Sequence, residues 1–318
     1  MSVLITGING FAGSYLTEYL LSRGLDVCGT ILNADHVENI ASFRERITLY
    51  EANILDSYVL QKILEKERPQ QIYHLAGISS VKDSWDDPKR VYEINFLGTF
   101  HLYEAIVRSG IVARILFASS AEIYGAVKDR MPPLQEDFQI CPTTPYAVSK
   151  AAGELLSKQF GYARKLEIIC SRSFPHIGPK QDEKFVCSNF ARQIAEIESG
   201  KSEPVIIVGN LDAKRDFTDV RDIVRAYQIL MEKGQLGEVY NVCSGEVYSI
   251  QSVLDIMLTM SKAKTKIQVD ETRLRPADIP VLIGNNSKIT SLGWSKRIPL
   301  QKSLSDILDY WRGVMRNT

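Results

Sequence analysis

Tyr146 and Lys150 stand four residues apart in the run Tyr146-Ala147-Val148-Ser149-Lys150. On a helix that spacing puts both side chains on one face. An ammonium beside a phenol favours the phenolate, so Tyr146 could exchange a proton nearer neutral pH than a free tyrosine can. The same pair also occurs in many chains as two solvated side chains, so it needs company before it means chemistry. Thr6-Gly7-Ile8-Asn9-Gly10-Phe11-Ala12-Gly13 supplies some, with glycines at the spacing G-x-x-G-x-x-G. Glycines let a backbone approach a pyrophosphate, and a helix N-terminus behind them offers N–H groups and positive potential. A third stretch, Ser119-Ser120-Ala121-Glu122-Ile123-Tyr124-Gly125, carries hydroxyls that could hydrogen-bond a carbonyl undergoing reduction.

These residues need elements to hold them. Short apolar runs at 3–6, 26–30, 47–51, 71–76, 114–119 and 166–171 read as strands. Helical patterns fall between them at 10–23, 56–66 and 88–109, and a helix at 144–164 carries Tyr146 and Lys150. Strand–helix alternation with nearly continuous apolar strands predicts a parallel sheet covered on both faces. The fold class is therefore α/β, a doubly wound Rossmann-type sheet with a smaller, mixed C-terminal domain. After Phe174 the rhythm changes: 174–182 is rich in Pro, Gly and polar residues, and helical patterns then dominate around apolar runs at 205–208 and 238–242. We place a dinucleotide-binding domain at 1–172, with a return segment near 212–243 that includes a helix at 219–233. The substrate domain takes 173–318. In a doubly wound sheet the carboxyl ends of the strands face the ligand crevice, and Ser119 and Ser120 end one such strand.

The stretch that usually chooses the cofactor is Gly29-Thr30-Ile31-Leu32-Asn33. An acid here bonds the ribose 2′-hydroxyl of NAD, and an arginine accommodates the 2′-phosphate of NADP. Neither is present. The missing carboxylate removes a repulsion against NADP, so NADP is the expected cofactor and NAD the second choice. Asn53 and Ile54, after the third strand, are placed to meet the adenine. Ala76 and Gly77, after the fourth, are small enough to let a dinucleotide lie against the backbone.

Composition excludes several classes. The chain has 318 residues, long for a single core. Thirty-eight basic residues balance 38 acidic ones, which argues against a nucleic-acid partner. No apolar run reaches the length of a membrane span, and Met1 leads almost directly into a strand, so the cytoplasm is the expected compartment. The five cysteines (Cys28, Cys141, Cys170, Cys187, Cys243) form no C-x-x-C motif, and the four histidines are scattered. Neither a disulfide framework nor a metal site is indicated.

Taken with His74-Leu75-Ala76-Gly77, Asn95-x-x-Gly98-Thr99 and Arg215-Asp216-Phe217 followed by Val220 and Asp222, the chain resembles the extended short-chain dehydrogenase/reductase family nearly end to end. That family comprises sugar-nucleotide epimerases, dehydratases and reductases. Within it, 80–85, His176-Ile177-Gly178-Pro179, 208–211, 215–222 and 274–280 are similar to the GDP-4-keto-6-deoxy-D-mannose reductases. The resemblance implies roles by position. Ser120 and Tyr146 would hold the sugar carbonyl, Tyr146 giving the proton, and Lys150 would lower the tyrosine pKa and bind the nicotinamide ribose. Gly7, Asn9, Gly10, Phe11, Ala12 and Gly13 would line the dinucleotide, with Asn53, Ile54, Leu75, Ala76, Gly77 and Lys150. Phe174 and His176 would meet its nicotinamide end. Ser80, Arg215 and Arg275 would bind a GDP-linked sugar, the arginines taking its diphosphate or ribose; alternatively Arg215 and Arg275 are surface ion pairs with Asp216 or Asp278.

Two features leave room. Pro175 stands where the family usually has asparagine, removing an amide side chain and a backbone N–H. Glu122 stands where sugar-nucleotide dehydratases carry the base for the C5 proton, or it is a structural carboxylate at the mouth of the sheet. The readings in play are therefore a C4-ketone reductase, a GDP-mannose 4,6-dehydratase, another epimerase or dehydratase, and a dinucleotide sensor. A sensor need not keep Ser120, Tyr146 and Lys150 together. Tyr92, Phe96, Tyr103, Leu155, Leu156 and Tyr162 place apolar surface on the outer faces of two neighbouring helices. Related enzymes pair these helices across a two-fold axis, so a homodimer is expected, with a tetramer as the alternative.

Overall fold

The computed structural model describes residues 1–33, 37–126, 133–273 and 279–317. The first half alternates strand and helix: β1 (Ser2–Thr6), α1 (Phe11–Ser22), β2 (Asp26–Ile31), β3 (Thr48–Glu51), α2 (Ser57–Glu67) and β4 (Gln71–His74). Then come α3 (Val81–Asp86), α4 (Pro88–Tyr92), α5 (Gly98–Ser109), β5 (Arg114–Ser120), α6 (Pro145–Arg164) and β6 (Glu167–Ser173). The second half holds β7 (His176–Ile177), α7 (Val186–Glu198), β8 (Val205–Val208), β9 (Lys214–Arg215), β10 (Thr218–Asp219), α8 (Val220–Lys233) and β11 (Val239–Val242). It ends with β12 (Tyr248–Ser249), α9 (Ile250–Thr259), β13 (Lys266–Val269), β14 (Val281–Leu282), α10 (Ser287–Thr290) and α11 (Leu300–Asn317).

Seven strands form one parallel sheet in the order β11-β6-β5-β4-β1-β2-β3. The chain winds outward from β1 to β3, then returns to β4 and winds the other way. That reversal opens a crevice at the carboxyl ends of β1 and β4, where doubly wound folds bind ligands. The doubly wound α/β class read from the sequence is the one observed. The strands are apolar throughout because both faces are covered. On β1, Val3 and Ile5 enter one core cluster with Leu16, Leu20 and Tyr227, while Leu4 enters the other with Ile72, Leu102 and Ile115. Each such side chain contributes roughly 1.5–3 kcal/mol by leaving water.

A third cluster knits α7, α9 and α11 to the β8–β13 pair, through Phe190, Ile194, Val208, Leu254, Leu304 and Leu308. The short strands join elsewhere: β7 to β10 in parallel, and β9 to β12 antiparallel and to β14 parallel. Strand β11 lies on the outer edge of the large sheet, beside β6.

The helix expected over 88–109 is interrupted. A π turn, Glu93–Leu97, separates α4 from α5. The wide turn turns Asn95 inward, where its amide holds both backbone groups of Ile78 (2.8 and 3.0 Å) and donates to Ser149 Oγ (2.9 Å). Wide turns of this kind recur at functional sites because they re-aim one side chain.

Candidate active site

The glycine loop is built by close backbone approach. Gly7 has φ +71, and a Cβ there would lie 2.9 Å from Ala76 Cα. A Cβ on Gly13 would lie 2.4 Å from the Gly7 carbonyl oxygen. Gly10 caps α1 with no side chain, and no acid stands in the first turn. The N–H groups of Phe11, Ala12 and Gly13 therefore open the helix at the carboxyl end of β1, in a first turn that carries no acid. The loop hangs on β2, with Gly7 N–H and Ile8 N–H both donating to Thr30 O at 3.0 and 3.2 Å. Asn39 Nδ2 donates to Asn9 O at 3.1 Å.

On the β4 side, Ala76 N–H donates to Thr6 Oγ1, which also pairs with His74 Nδ1 (3.2 and 2.8 Å). His74 Nε2 meets Thr99 Oγ1 at 3.0 Å. Burial, aided by the Lys150 charge, pulls His74 down to about 3, so it stays neutral and acts as a rigid link. Leu75 N–H donates to Thr6 O, and Gly77 lies exposed beside Asn95 and Lys150. Ile54 is buried against Gly98, while exposed Asn53 turns its amide oxygen to Leu55 N–H.

The residues expected to transfer a proton come together from β5 and α6. Helix α6 starts cleanly: Thr144 accepts from Ala147 N–H (3.1 Å) and Pro145 fits its first position. Tyr146 and Lys150 follow, both buried. Lys150 Nζ donates to Ala118 O on β5 at 2.8 Å. Burial pulls its pKa down to about 8. Ser120 ends β5 and accepts from Glu122 N–H at 3.2 Å, in a 3-10 turn over Ala121–Tyr124.

Tyr146 corrects one expectation. Burial pushes its phenol well above the ordinary tyrosine value, the Glu122 charge and Tyr227 add to that, and a hydrogen bond with Ser120 opposes it. Tyr146 is thus a protonated phenol at neutral pH.

The remaining sequence-predicted residues sit on other elements, and His176 meets the glycine loop. Phe174 is fully buried with Tyr124, Cys243 and Leu282, and its ring faces Gly284 rather than an open crevice. His176 stacks on Phe11, ring centroids 5.9 Å apart and ring planes nearly parallel at 4°. Its Nδ1 meets Phe174 O (3.2 Å), and burial lowers its pKa. Pro175 O accepts from Thr218 N–H at 3.0 Å, aligning β7 with β10. Ser80 is buried and caps α3 through Asp83 N–H (3.1 Å). Arg215 donates to Ile279 O (2.6 Å) and Lys214 O (2.9 Å). Asp216, its alternative partner, instead accepts from Ser244, Gly245 and Gly284. Arg275 lies outside the described residues. Sequence reasoning did not give Asn95 a role; its place in the Asn95-x-x-Gly98-Thr99 stretch was the available signal.

The loop fits a dinucleotide: helix N–H groups open above a turn packed so closely that a Cβ at Gly7 or Gly13 would meet the backbone of Ala76 or of Gly7 and Ile8. Together with Ser120, Tyr146 and Lys150 at the carboxyl edge, it defines a Rossmann-fold NAD(P)-dependent enzyme of the extended short-chain dehydrogenase/reductase class. Comparison narrows this. The family model for GDP-mannose 4,6 dehydratase matches residues 4–307. The chain is 33% identical to the GDP-6-deoxy-D-mannose reductase of Pseudomonas aeruginosa, covering 99% of this chain and 98% of that one. It is 30% identical to the GDP-mannose 4,6 dehydratase of Dictyostelium discoideum, over 91% of this chain and 89% of the other. A solved structure of RMD from Pseudomonas aeruginosa complexed with NADPH superposes with a TM-score of 0.86 at 32% identity, covering 98% and 99% of the two chains. The chain belongs to the GDP-mannose 4,6-dehydratase family. Among the described residues no group of side chains could hold a metal ion, and no helix is long and apolar enough to cross a membrane.

Proposed function

We propose that this chain reduces the C4 ketone of GDP-4-keto-6-deoxy-D-mannose with NADPH, NADH being the second donor. Tyr146 carries the reading: a buried phenol, protonated at neutral pH, hydrogen-bonded to Ser120 and one helical turn before Lys150. Reduction of a ketone needs such a proton donor beside the carbonyl oxygen. When bound, the reduced nicotinamide supplies the hydride to C4. Tyr146 Oη gives its proton to the developing oxyanion, and the ketone becomes a secondary alcohol. Ser120 Oγ holds the same oxygen. Lys150, fixed by Ala118 O, presents the charge that stabilises the phenolate left behind and binds the nicotinamide ribose. Arg215 and Arg275 take the diphosphate, since a guanidinium fork matches phosphate oxygens. On this reading residues 1–172 with 212–243 serve the cofactor, and the rest of 173–318 serves the sugar nucleotide.

One observation favours a second reading. The Glu122 charge is near enough to raise the Tyr146 pKa, and a dehydratase needs a carboxylate there for the C5 proton. Incubation with GDP-mannose, and separately with GDP-4-keto-6-deoxymannose plus NADPH, separates the two. Net loss of reduced-nicotinamide absorbance with the ketone supports the reductase; turnover of GDP-mannose without net NADPH use sinks it. Glu122→Gln is expected to lower ketone reduction by less than about tenfold. Loss of a GDP-mannose-consuming activity in that variant would give Glu122 the base role.

Lys150 sets a pH limit. Its folded pKa is depressed to about 8, so the ammonium is present below that pH and is lost as pH rises through it. The kcat/KM profile, which reports the free enzyme, is expected to fall above about pH 8. Lys150→Arg, which stays charged, should push that limb upward. A wild-type profile flat to about pH 9.5 would remove Lys150 from the proton chemistry.

The assembly we propose is a homodimer through α4, α5 and α6. Tyr92, Leu97, Phe100, Val148, Leu155 and Tyr162 are exposed there. Tyr103 is not part of this surface: it is fully buried, with its hydroxyl 2.7 Å from Ser157 Oγ. Light scattering at micromolar concentration should give about twice the 35.8 kDa chain mass. A clean monomer would defeat the dimer.

A further inference from the structure

Behind Tyr146 lies a charge pair that the proton transfer does not use. Glu154 and Arg172 side chains are only 2% and 4% exposed, with Arg172 Nη2 2.7 Å from Glu154 Oε1. Arg172 Nε donates to Glu154 Oε2 at 3.0 Å, so the contact is a two-pronged fork. Glu154 stands one turn after Lys150 on α6. Ser119, next to Ser120, donates to Glu154 Oε2 at 3.1 Å. The third guanidinium nitrogen, Nη1, donates to Tyr124 Oη (2.8 Å) and Glu136 O (2.9 Å). Tyr124 ends the turn that carries Glu122, and its hydroxyl donates to Asn241 Oδ1 on β11 at 2.7 Å. Lys158 stands at the rim, 3.8 Å from Glu154 and half exposed.

One guanidinium thus joins α6, the end of β5, the Glu122 turn and β11. Stability alone is a poor reason to keep such a pair. Removing two charges from water offsets most of their attraction, and an apolar pair of similar volume often holds a fold as well. A fork offers direction instead: it fixes the plane and distance of two groups, where apolar contacts permit sliding. Proton transfer demands that fixity, since reacting groups must be held within about half an ångström.

We infer that Glu154 and Arg172 are positioning residues: their fork sets where Ser120 and Glu122 stand relative to Tyr146 and Lys150, and so governs turnover rather than binding. This rests on the proposed roles of Ser120 and Tyr146. The test uses Glu154→Gln, which keeps the volume, and the double variant Glu154→Met/Arg172→Met, which replaces the pair by apolar side chains. Each is measured for Tm, NADPH Kd by fluorescence, kcat and KM, and amide exchange over residues 119–125.

Both variants should keep NADPH Kd and sugar-nucleotide KM within about threefold of wild type, lose at least fivefold in kcat, and exchange faster over 119–125. In the double variant Tm should recover while kcat does not. A kcat above one fifth of wild type in the folded double variant, unchanged exchange, or failure of both variants to fold would each overturn the inference. Tyr146→Phe, run alongside, separates the two ideas. An inactive Tyr146→Phe with an unimpaired Glu154→Gln defeats only the positioning role. An active Tyr146→Phe defeats the proposed site itself.

Discussion

Tyr146→Phe is expected to lower kcat by at least two orders of magnitude while leaving NADPH affinity within about threefold. The ring stays, so the packing at the start of α6 stays. Only the hydroxyl that meets Ser120 is lost. Without it the developing oxyanion keeps only the Ser120 hydroxyl and loses its general acid, and a positioned general acid contributes roughly 10²–10⁴ in rate. The residual rate reports what Ser120, Lys150 and cofactor placement achieve without proton transfer. The hydrogen bond to Ser120 is lost with the hydroxyl, so a modest fall in stability, about 1 kcal/mol, is expected. Turnover is followed at the reduced-nicotinamide band. A near wild-type kcat would take Tyr146 out of the mechanism.

Gly13→Ala is expected to weaken NADPH binding by at least tenfold without unfolding the chain. The added methyl would lie 2.4 Å from Gly7 O and 2.9 Å from Ile8 O. Both neighbours are backbone, so either the loop or α1 must move. Overpacking of this kind costs roughly 1–3 kcal/mol. Here the strain falls on the glycine loop and the first turn of α1, the groups proposed to hold the pyrophosphate. Gly24→Ala is the control: its φ is +74 with nothing within 4 Å. It should lower Tm through the left-handed backbone and leave Kd alone. Fluorescence titration of both variants decides. An unchanged Kd in Gly13→Ala would mean the loop does not form the phosphate cradle.

The central sheet was legible because burial on both faces makes its strands continuous apolar runs, as on β1. The glycine loop and the Tyr146–Lys150 spacing were legible because each is contiguous in the chain. The strands β7, β9, β10, β12 and β14 were not, since two residues cannot display a period. The π turn at Glu93–Leu97 hid inside a pattern that reads as one helix. The state of Tyr146 was misread for a different reason. A sequence shows that Lys150 is one turn away, but not that its ammonium points to Ala118 O while the phenol is sealed from water. The Arg172 fork was equally invisible: Glu154 lies on another element, and only its spacing of four from Lys150 hinted at a shared face.

Strand β11 is the last of the seven to leave the ribosome, yet it covers the edge of β6. Until residues 239–242 are synthesised, β6 presents a row of unpaired N–H and C=O groups, and such open edges invite pairing with other chains. At about 5–20 residues per second that exposure lasts several seconds. Tyr124 also waits for Asn241 through the same interval. The nascent chain therefore carries its glycine loop and its Tyr146 helix well before it owns a settled catalytic platform. Its period of greatest vulnerability to aggregation coincides with translation of α7, α8 and the segments between them.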